Sequence, residues 1–382
     1  MGLIDNRAWV YDIETIRSVF TLSAINISTN EVVKFVLHKD RWDLTSLIQW
    51  LYSCKYMIGF NNINFDYPVI HRLLLVWANK EIKQEEYSSV ILDLYDEAQR
   101  IIEEQSKDFF HKIVAIKTKE IIIPQLDLFK IWHYNNKARR TSLKALEISM
   151  NYPNVMEMPI LHDRDNITVD EIEGILEYNL NDVLATFEFF KKTMAKISLR
   201  KSIKKQFDIP CYNFSDTKIG EELILKLYST KTNQNPWDVK KMRSERSKIT
   251  LKDIILPYIN FQSKEFKELL DYFQNKVITG TKGSIEKSVI YQGFKYDYGT
   301  GGIHGCVKPG IYKADDEYVI MDADVGSLYP NLAITNNFYP EHLGPVFNEV
   351  YKSIIDMRME AKRNGNSVLS DGFKLAANSV YG

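Results

Sequence analysis

The sequence of 382 residues has few cysteines, no excess charge of one sign and no long apolar run. Its three cysteines, Cys54, Cys211 and Cys306, lie far apart and form no CxxC pair, so neither a disulfide framework nor a cysteine zinc site is indicated. The net charge of −1 gives no global signal for nucleic acid, although a local groove can still be basic. No apolar run is long enough to span a bilayer, and the first residues lack the apolar core of a signal peptide. We therefore expect a cytoplasmic protein, in the host cell if viral, with no membrane partner.

The first two hundred residues alternate strand and helix patterns, which is typical of an α/β domain around a central sheet. Thr168 is placed to cap a long helix that begins at Val169. Residues 191–205 are rich in lysine on a helical pattern, which indicates either a solvated helix face or a contact with a DNA backbone. Further along, "EYVIMDADV" predicts an apolar strand, and two helices joined by a tight turn at "NGNS" close the sequence.

Acidic residues recur at spacings that suit a metal site. Asp12 and Glu14 stand at i and i+2 of a predicted strand, so both carboxylates point to one face. Asp66 stands at a predicted helix start, and Tyr178 and Asp182 stand at i and i+4 of one helix. Magnesium prefers such hard oxygen ligands, and two ions roughly 3.5–4 Å apart can activate a water against a phosphodiester. The sequence has 50 acidic residues, so each of these three spacings is common when it occurs alone. The prediction of a metal site therefore depends on their combination.

In this order, "YDIET", "FNNINFD" and "YNLND" resemble the Exo I, Exo II and Exo III motifs of the proofreading 3′–5′ exonuclease of DNA polymerases, which has an RNase H-like fold. The resemblance implies that Asp12, Glu14, Asp66 and Asp182 hold two Mg²⁺ or Mn²⁺ ions. It also implies that Tyr178 assists the attacking water.

Contacts with a single-stranded 3′ end follow from the same resemblance. It assigns them to Asn61 and Phe65 of the second motif. "SLKAL" resembles the single-strand-binding motif (S/T)Lx2h, which adds Ser142 and Leu143. The alternative interpretations are that Phe65 is a core side chain and that Ser142 is only a helix N-cap.

Two later stretches resemble motifs of family B DNA polymerases. "DADVGSLYP" is similar to motif A, DxxSLYP, and "KLAANSVYG" is similar to motif B, KxxxNSxYG. The resemblance implies that Asp324, with the carbonyl of Val325, binds the Mg²⁺ ions for nucleotide addition. It also implies that residues of both motifs contact the triphosphate, the deoxyribose and the nascent base pair. These residues are Ser327, Leu328, Tyr329, Lys374, Asn378 and Tyr381.

Other residues extend this resemblance. Arg358 and Lys362, at i and i+4 before the "NGNS" turn, are either further dNTP contacts or a solvated helix edge. "YGTGGIHG" is similar to a loosened YxGG motif, which assigns DNA contact to Tyr298, Gly301 and Gly302; the alternative is a plain hairpin.

We expect four segments along the chain. Residues 1–205 form an RNase H-like exonuclease domain, 206–285 a helical connector, 286–345 the N-terminal part of a polymerase palm and 346–382 a short helical-hairpin fingers element. We expect the N-terminal portion of a DNA polymerase that acts on primer-template DNA, single-stranded 3′ ends and dNTPs. In family B polymerases a second metal-binding aspartate follows motif B, in motif C, and the polymerase also has a thumb. We expect motif C and the thumb on a second polypeptide or on a longer chain of which this is an excerpt. The alternatives are a stand-alone exonuclease and a non-catalytic DNA-binding subunit. Synthesis could start from a protein primer or from an ordinary primer end, and both alternatives stay open.

Overall fold

The computed structural model describes residues 6–80, 82–106, 116–280, 285–299 and 302–380. These residues divide into two compact units. The first falls within Met1–Gln234 and Glu349–Gly382, and the second within Asn235–Asn348. The helices predicted as fingers therefore belong almost entirely to the unit that contains the N-terminal sheet.

The first unit is a mixed α/β structure built on one sheet. Its strands are β1 (Ala8–Ile16), β2 (Val19–Asn26), β3 (Val32–His38), β4 (Arg41–Trp42), β5 (Tyr56–Gly59) and β6 (Gln125–Asp127). Its helices are α1 (Leu44–Ser53), α2 (Asp66–Val76), α3 (Tyr87–Ser106), α4 (Leu128–Ile131), α5 (Leu143–Ser149), α6 (Val169–Phe207), α7 (Asp216–Thr232), α11 (Val346–Arg363, whose first residues fall in the second unit) and α12 (Ser367–Ser379).

The sheet has the order β4-β3-β2-β1-β5-β6. Strands β1 to β4 pair antiparallel, whereas β5 lies parallel to β1 and β6 parallel to β5. The prediction of an α/β domain around a central sheet is confirmed. A sheet of this kind needs cover on both faces, and helices supply it.

Side-chain alternation along β1 decides which residues meet which helices. Trp9, Tyr11 and Ile13 are buried in one cluster with residues of α1, α2 and α3. Val10 is buried in another cluster with Val183 and other residues of α6. Since Asp12 and Glu14 share the parity of Val10, they lie on the face of β1 that α6 covers.

Helix α6 spans 39 residues and begins with the predicted cap. The Thr168 hydroxyl accepts a hydrogen bond from the Glu171 backbone N–H, and the Glu171 carboxylate accepts one from the Thr168 backbone N–H. This reciprocal capping box satisfies two N–H groups that a helix start otherwise leaves unbonded. Asp208, in the left-handed conformation with φ 54°, ends the helix.

The second unit carries short elements and one three-stranded sheet. Its helices are α8 (Pro236–Lys241), α9 (Lys264–Gln274) and α10 (Leu328–Thr335), and its strands are β7 (Ile249–Thr250), β8 (Val277–Ile278), β9 (Glu286–Tyr291), β10 (Phe294–Gly299) and β11 (Gly302–Cys306). β10 pairs antiparallel with both β9 and β11. Among the helices in the described ranges, none combines the length and the apolar character needed to cross a lipid bilayer.

The strand predicted over "EYVIMDADV" was wrong. Residues 317–325 contain no strand, and Asp324 therefore does not end one. The side chains of Tyr318, Val319, Ile320 and Met321 are exposed. A strand needs a neighbour for its backbone N–H and C=O groups, and no described strand pairs with this stretch.

Candidate metal centre

Three carboxylates from distant parts of the sequence meet in the first unit. Asp12 and Glu14 lie on β1, and Asp182 lies on α6, which packs across β1. One carboxylate oxygen from each lies within 4.8 Å of the others. The strand alternation and the position of α6 therefore gather three oxygen ligands at one point.

Asp66 lies beside this group, although it does not belong to the set of three within 4.8 Å. It is the first residue of α2 and is 5% exposed. The backbone N–H of Ile13 donates a hydrogen bond to Asp66 Oδ1 over 3.4 Å. Since β5, which precedes Asp66, lies parallel to β1, the loop after β5 brings this fourth carboxylate to the same edge of the sheet.

Burial raises the pKa of all four carboxyl groups, and repulsion from other members of the set adds to this for Asp12 and Glu14. For Asp12 the main cause is burial, followed by the charges of Asp66, Glu14 and Asp182. For Glu14 it is burial, followed by the charges of Asp182 and Asp66. Burial raises the pKa of Asp66 to about 7 and is also the largest cause for Asp182. Buried acids that repel one another in this way require a nearby positive charge to stay ionised together.

The donor set fits divalent magnesium or manganese. All four groups offer oxygen, which these hard cations prefer over sulfur or imidazole. Asp182 Oδ1 is buried and has no hydrogen-bond partner among the described residues. A buried carboxylate oxygen without a partner is costly unless an ion satisfies it.

Tyr178 lies one helical turn before Asp182, so the two side chains share one face of α6 beside the other carboxylates. Burial, followed by the charges of Asp182 and Glu14, holds the pKa of Tyr178 well above its ordinary value. The phenol therefore keeps its proton at neutral pH and acts as a donor rather than as a base. A fixed hydroxyl at this position can orient a water molecule beside the carboxylates.

Two residues that belong to none of the motif assignments also face this centre. Asn179 Nδ2 donates a hydrogen bond to Asp12 Oδ2 over 2.8 Å. The Lys144 ammonium nitrogen lies 5.2 Å from the centroid of the Tyr178 ring. Helical spacing carried a signal for Asn179, because it precedes Asp182 by three residues and shares its face. Nothing in the local pattern marks Lys144, which approaches through the packing of α5 against α6.

In the loop after β5, hydrogen bonds fix Asn61, whereas Phe65 packs against a hydrophobic cluster. Asn61 has φ 63°, its backbone N–H donates to Asp127 Oδ1 over 3.0 Å, and its side-chain oxygen accepts from Asn64 Nδ2 over 2.9 Å. Asp127 is fully buried and also accepts from the Ile63 backbone N–H, so it fixes the loop conformation. Phe65 is half-buried against the cluster that β1 shares with α1, α2 and α3.

Ser142 occupies the N-cap position of α5, as the alternative to its DNA-binding role predicts. Its hydroxyl accepts a hydrogen bond from the Ala145 backbone N–H over 3.2 Å. Ser142 is exposed and Leu143 half-buried. Capping and a contact with DNA are compatible, because the cap uses one acceptor site of the hydroxyl.

The motif A residues lie in the second unit. Asp324 and Val325 are exposed, in a stretch before α10 that forms neither helix nor strand. Ser327 has φ 54° and immediately precedes the helix, on which Leu328 and Tyr329 are exposed. An added Cβ at Gly302 would stand 3.7 Å from the Tyr329 hydroxyl, so these two predicted site residues are neighbours.

Tyr298 belongs to β10, and its ring centroid lies 5.6 Å from that of Phe273. The antiparallel pairing of β10 with β11 extends as far as Gly299 and Gly302. This pairing is the plain hairpin that the alternative interpretation of "YGTGGIHG" predicts. Of the remaining assignments, Gly301 and Tyr381 lie outside the described residues.

The motif B residues lie on α12 in the first unit. Gly372, Phe373 and Ala376 are buried, whereas Lys374 and Asn378 are exposed. The two exposed residues are separated by one turn and therefore share a face. Lys362, at the end of α11, is exposed, and Arg358 is half-buried.

The described residues thus hold one gathered carboxylate site and two exposed sets of polymerase-motif residues, with motif A in the second unit and motif B in the first. Comparison of the chain with protein-family models, with curated proteins and with solved structures found no match.

Proposed function

We propose that this chain is a 3′–5′ exonuclease that cleaves single-stranded DNA ends, in the N-terminal portion of a DNA polymerase of the family B type. The observation that carries the proposal is the meeting of Asp12, Glu14 and Asp182 within 4.8 Å, with Asp66 beside them. The strand order, with antiparallel β3-β2-β1 followed by parallel β5 and β6, supports an RNase H-like exonuclease domain.

Each residue has a defined part in this reaction. Asp12, Glu14, Asp66 and Asp182 would hold two Mg²⁺ or Mn²⁺ ions, which activate a water and stabilise the leaving oxygen when bound. Tyr178 donates its hydroxyl proton in a hydrogen bond and orients the water. Asn61, Phe65, Ser142 and Leu143 would contact the 3′-terminal nucleotides.

The test is degradation of a 5′-labelled single-stranded oligonucleotide with Mg²⁺ or Mn²⁺. We expect shortening from the 3′ end, with a loss of at least about 10³-fold in Asp12→Ala and in Asp66→Ala. Asp40→Ala, which removes an exposed acid elsewhere in the same unit, should retain activity. Thermal unfolding of each variant checks that the fold is intact. Equal activity in Asp12→Ala and the wild type would contradict the proposal.

The same assay separates the alternatives. DNA binding without metal-dependent cleavage would favour a non-catalytic DNA-binding subunit. Cleavage without any primer extension, even after a polypeptide carrying motif C and the thumb is added, would favour a stand-alone exonuclease. Extension that depends on this second polypeptide would favour the polymerase.

A second function, template-directed dNTP addition, is favoured by the exposed pair on α12. Lys374 and Asn378 lie on one face and are accessible, as contact with a triphosphate requires. In this proposal Asp324 and the Val325 carbonyl bind Mg²⁺, and Tyr329 packs under the deoxyribose. Ser327 and Leu328 belong to the same motif A assignment. Arg358 and Lys362 of α11 are the further dNTP contacts that the resemblance implies.

Binding of a dNTP in the presence of Mn²⁺ tests this second function. Lys374→Ala should weaken binding about tenfold, since it removes a charge-assisted contact with a phosphate. Lys352→Ala is the matched control, because Lys352 is an exposed lysine on α11 that forms an ion pair with Asp356. Equal weakening in both variants would indicate non-specific attraction and would contradict the assignment.

A further inference from the structure

A run of basic residues lies on the surface of the second unit, and it belongs to none of the motif assignments. Residues 237–248, here called the basic segment, contain five basic and two acidic residues. The segment therefore has a net charge of +3, whereas the whole chain has a net charge of −1. All five basic residues are exposed: Lys240, Lys241, Arg243, Arg246 and Lys248. A local concentration of positive charge attracts polyanions even on a protein that is neutral as a whole.

An exposed tryptophan stands at the start of the basic segment. Helix α8 begins at Pro236, and the Asn235 side chain caps it by accepting a hydrogen bond from the Trp237 backbone N–H over 2.8 Å. Val239 is buried and anchors the helix, whereas Trp237 is 65% exposed. The Lys241 ammonium nitrogen lies 5.1 Å from the centroid of the tryptophan ring. The helix therefore presents a flat aromatic surface and a positive charge side by side.

Contacts with distant residues of the same unit hold the second half of the basic segment, which forms neither helix nor strand after α8. Ser244 Oγ accepts a hydrogen bond from the His342 backbone N–H over 3.1 Å. Arg246 forms an ion pair with Glu341 over 3.0 Å. The Arg243 guanidinium donates hydrogen bonds to two backbone carbonyl groups of the segment itself. These contacts give the exposed cations a defined course across the surface.

Solubility alone does not account for this arrangement. Exposed lysines and arginines are ordinary on protein surfaces, but a large aromatic side chain left in water forgoes the free energy that its burial would give. Within the described ranges, neither Lys241 nor Lys248 is in an ion pair, so both charges are available to a ligand. The exposed ring and the available cations together indicate a contact surface.

Single-stranded DNA fits both features. Its phosphates can bind the cations, and its unpaired bases can stack on the tryptophan ring whatever their sequence. A duplex hides the faces of its bases inside the stack. A lipid surface requires a larger apolar face, and of the three apolar residues in the basic segment only Trp237 is exposed.

We propose that the basic segment binds single-stranded DNA along the strand, without preference for sequence, with one base stacked on Trp237. Such binding needs neither the carboxylate site nor a 3′ end, so it goes beyond the proposed exonuclease.

The test measures binding of the full chain to a circular single strand of about 30 thymidine nucleotides, with a chelator and about 0.1 M salt. The circle has no 3′ end for an exonuclease site to engage, and without divalent metal it stays intact. Fluorescence anisotropy of a labelled circle gives the dissociation constant.

Trp237→Ala tests the stacking contact. We expect binding of the circle to weaken about tenfold, which is the loss typical of removing one aromatic partner of a base, and Trp237→Phe to recover most of it. Tyr258→Ala is the matched control, because Tyr258 is 69% exposed in the same unit but lies outside the basic segment. Its affinity for the circle should equal that of the wild type.

The double variant Lys241→Gln/Lys248→Gln tests the phosphate contacts. The logarithm of the binding constant should fall less steeply with the logarithm of the salt concentration, with a slope shallower by about 1.4, because each phosphate contact on a single strand contributes about 0.7. Lys264→Gln/Lys267→Gln removes two exposed lysines of α9 in the same unit and should leave the slope unchanged.

Equal affinity of Trp237→Ala and the wild type for the circle would overturn the proposal. Equal affinity of the wild type for the circle and for a dumbbell duplex, which also has no free end, would overturn it as well, since charge alone would then explain binding. The same holds if vesicles of phosphatidylcholine with about 30% phosphatidylserine bind more tightly than the circle. The expected losses in a protein without metal-dependent cleavage would support this surface and contradict the exonuclease.

Discussion

Asn179 Nδ2 donates a hydrogen bond to Asp12 Oδ2 over 2.8 Å and so joins α6 to β1 across 167 positions of the sequence. Asn179 is fully buried, and its side-chain oxygen has no partner among the described residues. The bond fixes the orientation of the Asp12 carboxylate and lowers its pKa against the effect of burial. Groups that orient a metal ligand in this way contribute to the affinity for the metal.

We therefore expect Asn179→Ala to weaken Mn²⁺ binding and exonuclease activity by about 10–100-fold. Asn179→Asp should be worse, because a carboxylate cannot donate the hydrogen bond and adds negative charge beside Asp12. Calorimetric titration with Mn²⁺ and the oligonucleotide assay measure the two effects. Unchanged Mn²⁺ affinity in both variants would show that Asp12 needs no such support.

Tyr178→Phe tests the hydroxyl separately from the ring. The variant loses the hydroxyl beside Asp182 but keeps the aromatic surface under Lys144. We expect kcat to fall about 10–100-fold with Mn²⁺ affinity within about threefold, since the hydroxyl orients water rather than metal. Tyr52→Phe, at an exposed position, is the control. A large loss of Mn²⁺ affinity would instead place Tyr178 in support of the metal.

The raised pKa of Asp66 predicts how stability depends on pH when divalent metal is removed. Asp66 has a pKa of about 7 in the folded protein against an ordinary value of 3.8, so the folded state binds more protons between these values. Its contribution to stability is therefore fully present below about pH 4 and is lost as pH rises towards 7. Asp12, Glu14 and Asp182 shift in the same direction.

Thermal unfolding with a chelator measures this effect. We expect Tm to fall from pH 5 to pH 8, and the stabilisation by added Mg²⁺ or Mn²⁺ to be larger at pH 8. Asp66→Asn, which cannot ionise, should flatten the dependence. A variant whose Tm falls with pH as steeply as that of the wild type would contradict the role of Asp66.

Local patterns predicted which side chains share a face, and the fold decided which faces meet. Alternation placed Asp12 and Glu14 together, and helical spacing placed Tyr178 with Asp182. The position of Lys144 depends on how α5 packs against α6, which no local spacing encodes.

The wrong strand at "EYVIMDADV" has a related cause. An apolar run predicts that a segment needs burial, but a strand forms only where another strand supplies hydrogen bonds. β1 has β2 and β5 on its two sides, whereas the stretch from Tyr318 to Met321 pairs with no described strand. Local apolarity therefore predicted β1 correctly and failed at the later stretch.

Two helical glycines in the first unit should respond in opposite ways to alanine. At Gly220 on α7, an added Cβ would stand 2.9 Å from the Ala376 Cα of α12 and closer still to the Ser379 side chain. At Gly174 on α6, the nearest atom would be Pro159 Cγ at 3.9 Å, an ordinary van der Waals contact. We expect Gly220→Ala to lower the free energy of unfolding by about 1–3 kcal/mol, because the two helix backbones must separate.

Gly174→Ala should instead raise the free energy of unfolding by about 0.5–1 kcal/mol, because alanine loses less backbone entropy than glycine in a helix. Urea unfolding followed by circular dichroism compares both variants with the wild type. If Gly220→Ala is as stable as Gly174→Ala, α7 and α12 do not pack closely. The helix that carries motif B would then lack this contact with α7.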